Sequence, residues 1–314
     1  MLIMLSSASV SSVSSSWFDP IQRYNYPQAR APTPSKRLCY VPGLDGTSGS
    51  PFVQWPAVAE AGFGIRVQDV RSSLSTAGSF DATVDEVVSE LSVSASPTLL
   101  MGESYGAVVA AAAALKAPDS VSGLILVNPA TAFSKMPALQ RDAALLRSVP
   151  EAIFPAASFA LLGRKTFDIG FILNAVRDIV IEKKLDALRE SDPELAGYFD
   201  AALAELTQQV SQLPPRDFMC ARLEHLADGC AQLDSCLASL APPVLVIAGT
   251  ADKLLESDVE AARLQRVLGA DQCWTHLVDG AGHAGTLDQR CELAAVIGRW
   301  CADAGIEMCS NSTK

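Results

Sequence analysis

The chain has 314 residues, 49% of them hydrophobic, which is enough for one large α/β domain or two small ones around a substantial core. Its formal net charge of -11, with no local cluster of Lys and Arg, excludes phosphate backbones and hence nucleic acid as a partner. No run approaches the roughly 20 apolar residues of a membrane-crossing helix, so any association with membrane or lipid is expected to be peripheral.

Residues 1–37 are rich in serine and hold one acid, Asp19, against four bases, Arg23, Arg30, Lys36 and Arg37. Such a composition fits an organelle transit peptide or, equally, a disordered tail, and places the start of the folded domain near Arg37. From there short apolar runs alternate with helical stretches, the pattern of a mostly parallel sheet covered by helices on both faces. "RLCYVPG" reads as the first strand, and the loop after it, "VPGLDGTSGS", leaves backbone exposed through Gly43, Leu44, Asp45 and Gly46. "GIRVQDV" is a second strand, and "FDATVDEVVSELSVS" a helix with Val84, Val87, Val88 and Leu91 on one face.

The segment "LLMGESYGAVVAAAAAL" opens as a buried strand, turns through Gly102-Glu103-Ser104-Tyr105-Gly106 and closes as a run of small residues. A serine that attacks a carbonyl must project from a sharp turn, and side chains two positions away on either side would collide with the neighbouring strand and helix. Glycine at 102 and 106 relieves the collision; this is the G-x-S-x-G nucleophile elbow. The alanines from Ala110 to Ala114 suit a helix packed closely on the strand it has just left, and its N-terminus offers partial positive charge to an oxyanion. An ordinary tight strand-to-helix turn would show the same pattern, so the elbow needs partners.

After the strand "GLILVNP" the alternation breaks. Residues 128–215 read as a helical cap inserted between two halves of an α/β core, 38–127 and 216–314, ordinary covering helices being the alternative. "FILNAVRDIVIEKK" aligns Phe171, Ile172, Ala175, Val176, Ile179 and Val180; "LAGYFDAALAELTQQV" aligns Leu195, Tyr198, Phe199, Ala202, Leu203 and Leu206. Phe154, Phe159, Phe167 and Phe171 make this cap apolar, which predicts an aliphatic acyl group as ligand.

The sheet resumes with "PVLVIAG" and "WTHLVDG". A serine nucleophile needs a base held by an acid. Of the three histidines, His225 lies in a helix and His276 inside a strand; His283 alone follows a strand in a glycine-rich turn, "DGAGHAG". For the acid, Asp252 follows the strand "VLVIAGT", ahead of a helix for which Ser257 and Glu260 have the spacing of a capping box. Asp279, four residues before His283, is the chief competitor, and Asp258 a weaker one. The order Ser104, Asp252, His283 is that of α/β-hydrolases. The backbone N–H groups of Tyr105 and Leu44 are the expected oxyanion donors. His283 and Asp288 also show the H-x-x-x-x-D spacing of glycerolipid acyltransferases, without the other motifs of those enzymes. The eight cysteines, Cys39, Cys220, Cys230, Cys236, Cys273, Cys291, Cys301 and Cys309, lack the paired spacings of a zinc site and are expected to be reduced and mostly buried, a Cys301–Cys309 disulfide being the alternative.

Taken together, "VPGLDGTSGS", "LLMGESYGAVVA", "LILVNPATAFSKMPALQ", "VLVIAGTADKLLESDVEAARL" and "DGAGH" resemble the α/β-hydrolase domain of the plastid phytyl ester synthase and acyltransferase-like esterase family, across about Leu38 to Asp288. The resemblance implies attack on acyl esters, long acyl chains bound beneath the cap, products that include esters of phytol or diacylglycerol, and a plastid location, a cytoplasmic one being the alternative. It hands the triad to Ser104, Asp252 and His283. Family members continue into a glycerolipid-acyltransferase-like domain, whereas 31 residues follow His283 here, so hydrolysis is the expected reaction and acyl transfer the alternative. A serine esterase or lipase without metal or organic cofactor is thus expected; a ligand-binding protein of the same fold without turnover is the rival from another class.

Overall fold

The computed structural model describes residues 17–27, 29–48, 50–73, 78–158, 184–212, 214–287 and 289–307. Seven strands among them form one sheet: β1 (Trp17–Phe18), β2 (Lys36–Val41), β3 (Phe63–Gln68), β4 (Thr98–Glu103), β5 (Val121–Val127), β6 (Val244–Gly249) and β7 (Cys273–Val278), in the spatial order β1-β3-β2-β4-β5-β6-β7. All neighbours pair in parallel except β1 against β3. β4 and β6 are buried at every position, as expected for central strands covered on both faces; β6 is an unbroken apolar run, and β4 is apolar between Thr98 and Glu103.

Strand alternation divides the apolar residues into two cores. Cys39, Val41, Leu100, Leu124, Leu126, Val244 and Val246 face one layer; Leu38, Tyr40, Leu99, Met101, Ile125, Leu245 and Ile247 face the other. Helices α3 (Phe80–Ser92), α4 (Tyr105–Lys116), α9 (Arg216–Asp234) and α10 (Ser257–Leu268) cover the first face; α2 (Trp55–Glu60) and α11 (Leu293–Asp303) cover the second. A side chain at Gly229 would lie 2.6 Å from the Phe80 ring and 2.9 Å from Val108, so this glycine lets α9 settle against α3 and α4.

The folded domain begins earlier than the sequence indicated. Trp17 pairs with Gln68, Asp19 caps the short helix α1 (Pro20–Arg23), and Ile21, Tyr24 and Tyr26 are buried in the second core. The predicted boundary at Arg37 therefore moves back to at least Trp17, because apolar side chains outweigh the serine-rich composition around them. Tyr24 and Tyr26 both make edge-on ring contacts with Tyr198 of α8 (Pro193–Ser211), and Arg23 and Arg30 pair with Glu205 and Asp192.

Helices described within 128–215 divide between the two cores. Leu139, Ala143 and Leu146 of α5 (Pro137–Arg147) and Phe154 of α6 (Phe154–Ser158) join the first; α8 joins the second through Tyr198 and Ala202, with Leu195, Phe199, Leu203 and Leu206 packed alongside. The short α7 (Lys184–Ser191) precedes α8. Phe159, Phe167 and the predicted stripe from Phe171 to Val180 lie outside the described residues. Cys39, Cys220, Cys230, Cys236, Cys273, Cys291 and Cys301 are free thiols; Cys309 is outside the described residues. Among the described residues no helix is long and apolar enough to cross a membrane.

Candidate active site

The loops that follow β2, β4, β5, β6 and β7 meet at the C-terminal edge of the parallel strands, where open α/β sheets hold their ligands. Ser104 stands at the tip of the turn between β4 and α4 with φ 55° and ψ -115°, a strained conformation for a residue with a side chain. A Cβ on Gly102 would lie 2.2 Å from the Gly106 carbonyl oxygen, and one on Gly106 would lie 2.2 Å from that of Val41. Both glycines are therefore steric requirements of the elbow. The turn is held on β5 by the Ser104 N–H, which donates to the Val127 carbonyl at 2.9 Å, and by the Ala130 N–H, which donates to the Ser104 carbonyl at 3.2 Å. Ala107, Ala110, Ala111, Ala113 and Ala114 are fully buried, as close helix–sheet packing demands.

Three side chains distant in sequence are aligned here. His283 Nε2 lies 3.0 Å from Ser104 Oγ, and His283 Nδ1 lies 2.8 Å from Asp252 Oδ2. The Asp252 carboxylate also accepts from Ser257 Oγ at 2.5 Å, from the Leu254 N–H at 2.8 Å and from the Leu255 N–H at 3.3 Å. Burial favours its neutral form, but donation from His283, the imidazole charge and the Ser257 and Leu254 donors outweigh it and hold the carboxyl below its usual range. With Asp252 ionised, the geometry assigns the imidazole proton to Nδ1 and leaves Nε2 to accept from the serine hydroxyl. Ser104 is partly exposed while His283 and Asp252 are buried, so the hydroxyl is reachable and its partners are dry.

The competing assignments separate clearly. Asp279 accepts from Thr250 Oγ1 at 3.2 Å in an exposed turn, and Asp258 sits in the first turn of α10. His225 packs in α9, where burial lowers its pKa, and His276 lies mid-strand in β7. Asp288 lies outside the described residues. The expected capping box at Ser257 and Glu260 does not form, because both side chains have stronger partners. Ser257 donates to Asp252, while Glu260 pairs with Arg263 and accepts from Thr131.

Residues that sequence reasoning passed over hold the histidine loop. Asn128, legible only as a turn signal after β5, adopts φ 40°; its amide donates to the His283 and Gly282 carbonyls and accepts from the Gly249 N–H at 2.8 Å. One side chain thus ties the ends of β5 and β6 to the loop that carries the imidazole. Buried Glu103 accepts from Tyr40 Oη at 2.6 Å, Ser50 Oγ at 3.0 Å and Thr286 Oγ1, in the same loop as His283, at 3.3 Å. Burial dominates there and pushes the Glu103 pKa up despite these donors.

On the other side of the serine runs the loop after β2. A Cβ on Gly43 would be 3.8 Å from Ser104 Cβ, which puts this backbone directly beside the serine. The Gly43 carbonyl accepts from the Gly46 N–H at 3.0 Å and from Arg222 Nη2 at 2.9 Å; the Asp45 carbonyl accepts from Arg71 Nε at 3.0 Å. Leu44 packs on the first core, and Tyr105, the first residue of α4, is fully buried. Among the described residues no group of three or more His, Cys, Asp or Glu side chains is arranged to hold a metal ion.

A parallel sheet with a strained serine elbow between β4 and α4 defines an α/β hydrolase. The family model for serine aminopeptidase, S33, matches residues 70–290, and the chain belongs to this hydrolase family. It is 28% identical to phytyl ester synthase 1, chloroplastic, of Arabidopsis thaliana and 26% identical to phytyl ester synthase 2, chloroplastic, of the same plant, over 90% of its own length in each case. It spans only 38% and 39% of those relatives. Among solved structures, a thermophilic esterase from Thermogutta terrifontis superposes with a TM-score of 0.59 at 19% identity, covering 87% of this chain and 91% of that one, a likeness of fold.

Proposed function

We propose that the protein is a serine esterase or lipase-type hydrolase that cleaves acyl esters through an acyl-enzyme, with Ser104, His283 and Asp252 as nucleophile, base and orienting acid. The observation that carries this reading is the unbroken relay from Ser104 Oγ through His283 to Asp252, at 3.0 and 2.8 Å, on a strained elbow. As Ser104 Oγ attacks the ester carbonyl, His283 Nε2 takes its proton, and the imidazolium is stabilised by ionised Asp252. The carbonyl π pair moves to oxygen, and the Tyr105 and Leu44 N–H groups receive the oxyanion. Collapse breaks the bond to the alkoxy oxygen, His283 protonates the departing alcohol, and the acyl group stays on Ser104. Water, deprotonated by the same imidazole, repeats the sequence and releases the acid.

An acyl group of aliphatic character, bound beneath a cap built from residues 128–215, is the substrate proposed, with plastids as the compartment; the chloroplastic relatives support the compartment and the lipid class. Those relatives also favour a second reading, in which an alcohol such as phytol intercepts the acyl-enzyme in place of water and a new ester forms. Turnover of a chromogenic medium-chain ester, with mapping of the peptide labelled by a fluorophosphonate, tests the first reading; labelling elsewhere than Ser104, or no rate above background in folded protein, refutes it. Adding phytol and looking for phytyl ester tests the second.

A further inference from the structure

Arg222 is 5% exposed; it donates from Nη2 to the Gly43 carbonyl at 2.9 Å, lies against two aromatic faces, and is attracted by the Asp45 and Glu86 carboxylates. Its guanidinium carbon lies 4.2 Å from the Tyr105 ring centroid and 5.3 Å from that of Phe218, and its Nε is buried without a partner. A guanidinium taken out of water to hydrogen-bond a backbone carbonyl is a costly arrangement for packing alone, since an apolar side chain of similar volume would serve as well.

The carbonyl it holds belongs to the Gly43–Leu44 peptide. In a trans peptide the C=O and N–H point in opposite directions, so fixing the Gly43 oxygen fixes the direction of the Leu44 N–H. Donation to a peptide oxygen also polarises the N–H of the same peptide and strengthens it as a donor. The second donor, Gly46 N–H to the same oxygen at 3.0 Å, closes the turn but carries no charge. Phe218, one helical turn before Arg222, supports the loop too: a Cβ on Gly46 would be 3.8 Å from its ring. The cation therefore touches the residue of one expected oxyanion donor, Tyr105, and the peptide of the other, Leu44.

We infer that Arg222 is a positioning residue for the oxyanion pocket, locking the Gly43–Leu44 peptide so that its N–H is aimed and polarised toward the tetrahedral intermediate. The role rests on the serine-hydrolase reading above. Since the pocket binds the intermediate and not the ground-state ester, loss of Arg222 is expected to fall on kcat and leave KM in place.

The test compares wild type with Arg222→Met, which removes the charge at similar volume, and Arg222→Lys, which keeps the charge without the planar fork. Expected for Arg222→Met is a fall in kcat of about 10- to 100-fold, short of the loss on deleting an oxyanion donor outright. KM should hold within about twofold, and Ki for a trifluoromethyl ketone of the same acyl chain, which forms a tetrahedral oxyanion on Ser104, should rise in proportion to the lost kcat. Lysine should fall between. Should the methionine variant unfold, the lysine variant carries the same pair of readouts. A folded variant with kcat unchanged, or one whose kcat falls while ketone binding does not, overturns the role. Absence of ester turnover or of Ser104 labelling in wild type is a separate result that refutes the underlying reading and this role with it.

Discussion

The two sides of Ser104 are built in different materials. Toward β6 and β7 the site consists of side chains joined to one another: His283 to Asp252, Asp252 to Ser257, and Asn128 across the ends of two strands. Toward β2 it consists of backbone, with the carbonyls of Gly43 and Asp45 held by Arg222 and Arg71 reaching in from elsewhere in the fold. Proton transfer needs groups that only side chains supply, whereas an oxyanion needs N–H donors that every non-proline residue owns. Substitution therefore reaches the first side directly and the second only through its supports.

The largest effect expected is from Ser104→Ala, which should lower ester hydrolysis by about 10⁴-fold or more with little change in thermal midpoint; residual activity near wild type in folded protein would end the triad reading. Asp252→Asn should lower kcat by about 10³- to 10⁴-fold by permitting the wrong imidazole tautomer. Asp279→Asn, whose carboxylate faces Thr250 in an exposed turn, should change it less than about threefold. Reversal of that ranking would transfer the acid's role.

Asn128→Ala sits between the two kinds of support, since it holds the histidine loop through backbone carbonyls and itself occupies φ 40°. About a tenfold loss of kcat is expected, with about 1–3 kcal/mol of stability measured by denaturant titration, from orphaned backbone groups and strain.

The smallest effect separates two buried acids by sign. Asp252 is held below its unfolded pKa, so its contribution to stability is full above about pH 4 and is lost as pH falls through its folded value. Glu103 is raised, so the native state binds its proton more tightly; stability declines as pH climbs from about 4.3 through the folded value. Thermal midpoints between pH 3 and 8 should lose the acid-side slope in Asp252→Asn and the opposite slope in Glu103→Gln. A Glu103→Gln profile parallel to wild type would show that its burial is balanced by Tyr40, Ser50 and Thr286.

Legibility followed the same division. The elbow glycines, the strand-end Asp252 and the glycine-flanked His283 stand out because residue type and local spacing carry their geometry. Asn128, Glu103 and Arg222 do not, because each acts on a partner more than 30 residues away and nothing nearby marks it. The start of the domain is hidden for a related reason: Trp17, Ile21, Tyr24 and Tyr26 are scattered through a polar stretch, and the contacts that bury Trp17, Tyr24 and Tyr26 come from β3 and α8. At Ser257 and Glu260 the spacing of a capping box was present, but Glu256 holds the N-cap position, Ser257 donates to Asp252, and Glu260 is taken by Arg263 and by Thr131 from the loop after β5.

By itself the amino-acid sequence determined the alternating α/β architecture and the steric necessity of Gly102 and Gly106, and it marked Ser104 and His283 as candidates for nucleophile and base, since these depend on periodicity and residue type. Only the tertiary structure decided that Asp252 rather than Asp279 meets His283, and that α9 delivers a buried arginine to the loop beside the serine. Such choices depend on distances between chain segments far apart in sequence, which local pattern does not encode.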